Sequence, residues 1–281
     1  MREFPLDRLT EAVKQLYLTA NYEIGPDVEG AVCRACQAEE SPVGRRVLAQ
    51  LAENYRIARE ERIAICQDTG MAVLFLEIGQ EVHFTGGDFE AAVQEGVRRA
   101  YREGYLRKSV VSDPVFDRRN TGDNTPAVLH VRLAPGDRVH ILALAKGFGS
   151  ENMSALKMLT PAQGEQGVLD FIVDTARRAG PNPCPPMILG VGVGGTMEQA
   201  ALMAKRMTAR PLGTRHPDPR YARLEEEALA AINRLGVGPA GVGGRFTALG
   251  VHLEWAPTHI AGLPVAVNVC CHAARHAEIT L

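Results

Sequence analysis

The sequence predicts a mixed α/β (α+β) protein: a helical N-terminal region followed by a mixed, largely antiparallel sheet with flanking helices. Three observations carry that expectation. Apolar residues first recur at helical spacing, as Leu6, Leu9, Val13, Leu16 and Tyr17 do. From Met71 onward, short strand-like runs alternate with helical patterns. Two of those runs, Ala127 to Leu133 and Val139 to Ala145, flank the turn Pro135-Gly136-Asp137, which reads as an antiparallel pair.

Each element has its own signal. After the first helix, Asp27 is placed to cap a second, from about Val28 to Glu40. Ser41 as N-cap and Pro42 in the first turn open a third, to about Arg62. Gly86-Gly87-Asp88 starts a helix whose stripe is Phe89, Val93, Val97 and Tyr101, ending near Gly104. A polar loop from Ser112 to Thr125 leads into the expected strand pair. A helix follows from about Pro161 to Ala179. Pro181 to Pro186 holds too many prolines for regular structure. Then come a strand (Met187 to Val191), a glycine-rich turn, a helix (Met197 to Met207), a loop over 209–219 and a helix from Tyr221 to Leu235. The last strands are Phe246 to Leu253 and Pro264 to Val269. With no internal repeat, low-complexity tract or clear linker, residues 1–281 read as a single domain.

Composition excludes several classes. A formal net charge of −2 gives no reason to expect a nucleic-acid or anionic-membrane partner. No apolar stretch is long enough to span a bilayer. Met1-Arg2-Glu3-Phe4-Pro5 lacks the apolar core of a secretory signal, so a cytoplasmic location is expected. In that compartment the 6 cysteines are expected to be reduced, metal-bound or catalytic rather than bridged.

Cys66, Cys184 and Cys271 each fall at a strand edge or in an irregular loop, where functional groups are held against a rigid scaffold. Cysteine also packs as a small hydrophobe, and spacing alone does not separate the two uses. Cys33 and Cys36 form a C-x-x-C pair inside a predicted helix. With no second pair to complete a zinc site, they read as packing. Gly190-Val191-Gly192-Val193-Gly194-Gly195 matches G-x-G-x-x-G, so a nucleotide-binding oxidoreductase is a second function class. The acidic strand end that such a site needs is missing, and a tight strand-to-helix turn is the simpler reading. Cys66-Gln67-Asp68-Thr69-Gly70 interrupts two apolar runs, and Asp68 there could act as acid or base.

These pieces, taken in order, resemble the iron–sulfur class I fumarases and their relatives, the L-tartrate dehydratases. The ordered set is Cys66 to Gly70, Thr85-Gly86-Gly87, Leu106-Arg107, Asn120 to Asn124, Lys146 to Ser150, Cys184-Pro185-Pro186, Gly194-Gly195-Thr196 and Cys271. The resemblance implies that Cys66, Cys184 and Cys271 hold a [4Fe-4S] cluster with one iron open to substrate. It implies substrate contacts from Gln67, Arg107 and the Gly149 amide, and proton transfer by Asp68 and His259. It implies an α subunit of a hydro-lyase of the tricarboxylic acid cycle that interconverts (S)-malate and fumarate. The alternative substrate is L(+)-tartrate, giving oxaloacetate. A separate β subunit is expected to complete the site, in a heteromer built as a dimer of αβ pairs. Phe148 stands where many relatives carry a further glycine.

Overall fold

The computed structural model describes residues 1–281. In chain order its elements are β1 (Arg2–Pro5), α1 (Leu6–Tyr22), α2 (Pro26–Ala38), α3 (Pro42–Glu61), β2 (Met71–Gly79), β3 (Val82–Thr85), α4 (Phe89–Glu103), β4 (Val128–Ala134), β5 (Val139–Lys146), the single turn α5 (Phe148–Glu151), β6 (Ala155–Leu159), α6 (Gly164–Ala179), β7 (Met187–Gly194), α7 (Met197–Met207), α8 (Pro219–Asn233), β8 (Ala248–Ala256), β9 (Leu263–Cys270) and β10 (His276–Thr280). This is the α+β architecture the sequence predicts. The chain divides into two compact units. One comprises Met1–Ile24, Tyr55–Phe148 and Arg275–Leu281; the other comprises Gly25–Asn54 and Gly149–Ala274.

The first unit is built on a four-stranded sheet ordered β10-β5-β2-β4, with β1 and β3 pairing in parallel beside it. The predicted stripes of α1 and α4 lie in its core with Leu74, Leu76 and Ile141, except Phe89, which is partly buried against it. Each such side chain contributes about 1.5–3 kcal/mol by leaving water. Asp88 caps α4, its carboxylate accepting the Ala91 amide at 2.8 Å. Gly96 lets α1 approach α4 closely, because a Cβ there would lie 2.6 Å from the Thr10 carbonyl oxygen.

The expected β4–β5 hairpin does not form. β2 lies between them, antiparallel to β5 and parallel to β4. The reason is burial. β2 is apolar along most of its length and buried nearly throughout, so it takes the centre. Val131 and Leu133 of β4 stay exposed, as suits an edge strand. The turn at Pro135-Gly136-Asp137 carries the chain over the end of β2, where Gly79 leaves room for the Gly136 carbonyl.

The second unit has the sheet order β6-β9-β7-β8. β9 is antiparallel to both β6 and β7, and β8 is parallel to β7. Its core joins Ile172, Ile232, Leu253 and Val269. The predicted glycine-rich turn is instead mostly strand, because β7 runs on to Gly194. Gly190 and Gly192 lie against α7. A Cβ on Gly190 would sit 2.0 Å from the Ala204 carbonyl oxygen, and one on Gly192 2.1 Å from that of Ala200. The spacing of those two glycines therefore serves close helix-on-strand packing. Ser41 does cap α3, accepting the Gly44 amide at 3.2 Å. Asp27 does not cap α2. Gly25 holds that position, and the Asp27 carboxylate accepts the Leu212 amide at 2.8 Å. The strands β1, β6 and β10 carry no signal strong enough to be predicted. No helix is long and apolar enough to cross a membrane.

Candidate active site

Cys66-Gln67-Asp68-Thr69-Gly70 forms the entry to β2, and main-chain atoms of the loop are bolted to the first unit at three points. Tyr101 donates its hydroxyl to the carbonyls of Thr69 and Gly70 at 2.8 and 3.0 Å. Burial pushes the Tyr101 phenol up; Arg275 opposes this and Asp68 reinforces it. Asn124 donates to the Gly70 carbonyl at 3.1 Å, while its own side-chain oxygen accepts the Ser109 amide at 2.7 Å. Arg275 donates to the main-chain carbonyl of Asp68. Gly70 has φ 78°, and a Cβ there would meet the Ala145 backbone at 2.6 Å, so the turn requires glycine.

The side chains of the loop face different tasks. Each Asp68 carboxylate oxygen accepts a backbone amide, Gly70 at 3.0 Å and Phe148 at 2.8 Å. Asp68 thereby ties the β2 entry to the β5 exit, consistent with the register Met71↔Lys146. Gln67 is exposed, its side-chain oxygen 3.5 Å from the Cys66 sulfur. Arg107 is exposed too. The Thr69 hydroxyl donates to its carbonyl at 2.9 Å, which leaves the guanidinium uncommitted. Beside the loop lies a cavity of about 440 Å³ lined by Asp68, Gly70, Ser109, Val111, Arg118 and Phe148, among others.

The second unit carries the remaining residues. Cys184 has φ 51°, a left-handed backbone that costs a non-glycine residue on the order of 1–3 kcal/mol and persists where surrounding structure imposes it. Register places it with Cys271: Ile188 of β7 pairs with Cys270 of β9, so the approach to β7 and the exit from β9 share one end of the sheet. Cys270 is buried and Cys271 is partly exposed, which makes Cys271 the one available to a ligand. Gly149 is exposed in α5, and a Cβ there would meet only the Asn182 carbonyl, at 3.9 Å. Cys33 and Cys36 lie on α2, Cys33 exposed and Cys36 with its sulfur 3.5 Å from the Arg45 carbonyl oxygen.

His259 stands elsewhere in that unit. It lies between β8 and β9, where the Thr258 hydroxyl donates to the Gly195 carbonyl at 2.8 Å. This is the far end of β7 from Cys184, on the order of 20 Å away at the rise of a strand. His259 lines a cavity of about 460 Å³ with Glu165, Arg220, Tyr221 and Ile260 among its walls. Its Nδ1 accepts the Ala261 amide at 3.2 Å, and the residue is exposed.

The structure gathers no three His, Cys, Asp or Glu side chains into a metal-binding group. The donor chemistry nevertheless suits an iron–sulfur cube. Cys66, Cys184 and Cys271 are outside any disulfide and at least partly exposed. Sequence reasoning missed Tyr101 and Asn124 as supports of the loop, and gave no role to Arg275. Only Arg275 carried a usable signal, as an arginine shortly after Cys271.

The profile of the Fumarate hydratase (Fumerase) family matches residues 10–280. The chain belongs to that family, a family of hydro-lyases. A Methanocaldococcus jannaschii protein, provisionally named L(+)-tartrate dehydratase subunit alpha, is 38% identical over 274 residues, 96% of each chain. Proteins of Escherichia coli strain K12 and Shigella sonnei, both named L(+)-tartrate dehydratase subunit alpha, are 31% identical over 285 residues, 98% of this chain and 93% of theirs.

Proposed function

We propose that residues 1–281 act as one α subunit of a [4Fe-4S]-dependent hydro-lyase that interconverts (S)-malate and fumarate, with a separate β subunit completing the site. The observation that carries this reading is the loop from Cys66 to Gly70. It sets a partly exposed thiol beside an exposed amide and an anchored carboxylate at the rim of a cavity. Cys66, Cys184 and Cys271 would hold the cluster. When bound, an open iron supplies a Lewis acid for a substrate hydroxyl. Arg107 has an uncommitted guanidinium suited to a substrate carboxylate, and Gln67 and the Gly149 amide add donors to it. Asp68 is the proton-transferring group that this chain places at the rim. A histidine about 20 Å from two cluster cysteines of its own chain cannot serve the same small acid. In a dimer of αβ pairs, His259 serves the site of the other α chain.

A second reading is dehydration of L(+)-tartrate to oxaloacetate, favoured by the names of the curated relatives. The two substrates differ by one hydroxyl. Steady-state kinetics of the αβ complex on both acids decides between them. A larger kcat/KM for malate is the expected result, and a larger value for tartrate selects the second reading. The cluster is tested by anaerobic iron analysis with a visible spectrum. The expected outcome is a brown wild type with roughly four irons per α chain and a bleached Cys184→Ala. A colourless, iron-free wild type after reconstitution would overturn the cluster assignment.

A further inference from the structure

Arg275 has a geometry that the proposed reaction does not by itself explain. It is 4% exposed, which is rare for a guanidinium without an ion pair. Its Nη1 donates to the Asp68 carbonyl, while its buried Nε finds no partner. Its backbone is fixed as well, because the Ala145 amide donates to the Arg275 carbonyl at 3.0 Å where β10 begins to pair with β5. The side chain therefore reaches from a rigid ladder to the loop that enters β2. Gly147 shows how little room surrounds it. A Cβ there would lie 3.0 Å from Arg275 Nη2 and 3.2 Å from Asp68 Oδ2.

We propose that Arg275 is a positioning residue: its guanidinium fixes the Asp68 peptide so that the Cys66–Gly70 loop meets the Gly147–Phe148 turn in one register. The physical basis is the strength of a charged donor on a partly buried carbonyl. Such a bond is stronger than a neutral one, and losing it leaves the acceptor unsatisfied. The Asp68 carboxylate adds a second tie through the Phe148 amide. With both ties in place the peptide plane at Asp68 cannot rotate, and the directions of Gln67 and Cys66 are set with it. Gly147 belongs to the same device, because a Cβ there would press on the Arg275 guanidinium and on the Asp68 carboxylate together. The inference rests on the functional reading only for what the loop is held in place to do; the holding itself is independent of it.

The test uses the full chain without cluster or substrate, and reads iodoacetamide alkylation of each cysteine by peptide mass spectrometry. Cys33, exposed on α2, is the reference for reagent reactivity, and the buried Cys270 reports loosening of the whole chain. In Arg275→Gln and in Gly147→Ala, the Cys66 rate relative to Cys33 is expected to rise about tenfold, equivalent to about 1.4 kcal/mol. Cys270 stays protected. Arg275→Lys, which keeps the charge and one donor, falls between wild type and Arg275→Gln. An unchanged Cys66 rate in Gly147→Ala overturns the proposal, even if Arg275→Gln fails to fold. A rise shared equally by Cys66 and Cys270 in both variants also overturns it, because the arginine would then support the whole chain and not the loop. The readout needs no activity, so its failure and the failure of the hydro-lyase reading are distinguishable.

Discussion

His252 is buried, with Nδ1 3.2 Å from the Met207 carbonyl oxygen. Burial first, and the nearby Arg210 second, hold its imidazole down at about 4, against an ordinary 6.5. The folded chain therefore keeps this ring neutral where the unfolded chain protonates it. Its contribution to stability is complete above pH 6.5 and is lost as the pH falls toward 4. By pH 5 the loss is roughly 2 kcal/mol. Urea unfolding of wild type and His252→Gln at pH 7 and pH 5 checks this: the variant should lose less stability across the interval. Equal losses would place the pH dependence on the carboxylates. Residues of this kind are poorly legible in sequence, because burial is a property of the fold. Cys66 and Asp68 stood out through the texture of their own segment. Tyr101 looked like one more member of an apolar stripe, and its hydroxyl is one of the three groups that hold the loop.

At the scale of elements, local chemistry was readable and strand order was not. Ser41 caps the helix it was expected to cap, and Asp88 caps the helix its segment was expected to start, whereas Asp27 falls inside the first turn of α2 behind the Gly25 cap. The pairing of β2 between β4 and β5 is decided by which strand is apolar on both faces, a comparison among distant segments. The glycines of β7 misled for the same reason: G-x-G-x-x-G reports close backbone approach without saying what approaches. A pair of substitutions separates the two uses of glycine in this chain. Gly192→Ala drives a methyl into the Ala200 carbonyl and should destabilise the second unit by about 3 kcal/mol, read as a lower urea midpoint. Gly149→Ala meets nothing closer than 3.9 Å and should change stability by less than about 0.5 kcal/mol. If substrate packs against the Gly149 Cα when it meets the amide, the added methyl crowds it and raises KM, and an unaltered KM would exclude that close approach.

At the scale of the whole molecule, the two sheets share a plan that no sequence repeat announces. Each has two central antiparallel strands, a further antiparallel strand on one side and a parallel edge strand on the other. Each also presents several of its candidate residues at one place, the approach to one central strand and the exit from the other. In the first unit these are Cys66 to Gly70 and Gly147-Phe148; in the second they are Cys184 and Cys271. His259 lies at the opposite end of the second sheet, which makes its proposed service to another copy testable. Cys184→Ala and His259→Ala chains, each inactive alone with β subunit, should regain about a quarter of wild-type activity when co-assembled, since half the random dimers are mixed and each holds one intact site. No recovery, or full activity of His259→Ala alone, would count against that role. The division of the chain also has a consequence for its synthesis. Every residue of the second unit precedes Arg275, whereas the first unit needs Arg275–Leu281 for its β10 strand. A nascent chain paused on the ribosome before residue 275 would carry all of the second unit and a first unit with an open β5 edge. Its Asp68 loop would still lack the arginine that anchors it, so the site loop is among the last features to be set as translation proceeds.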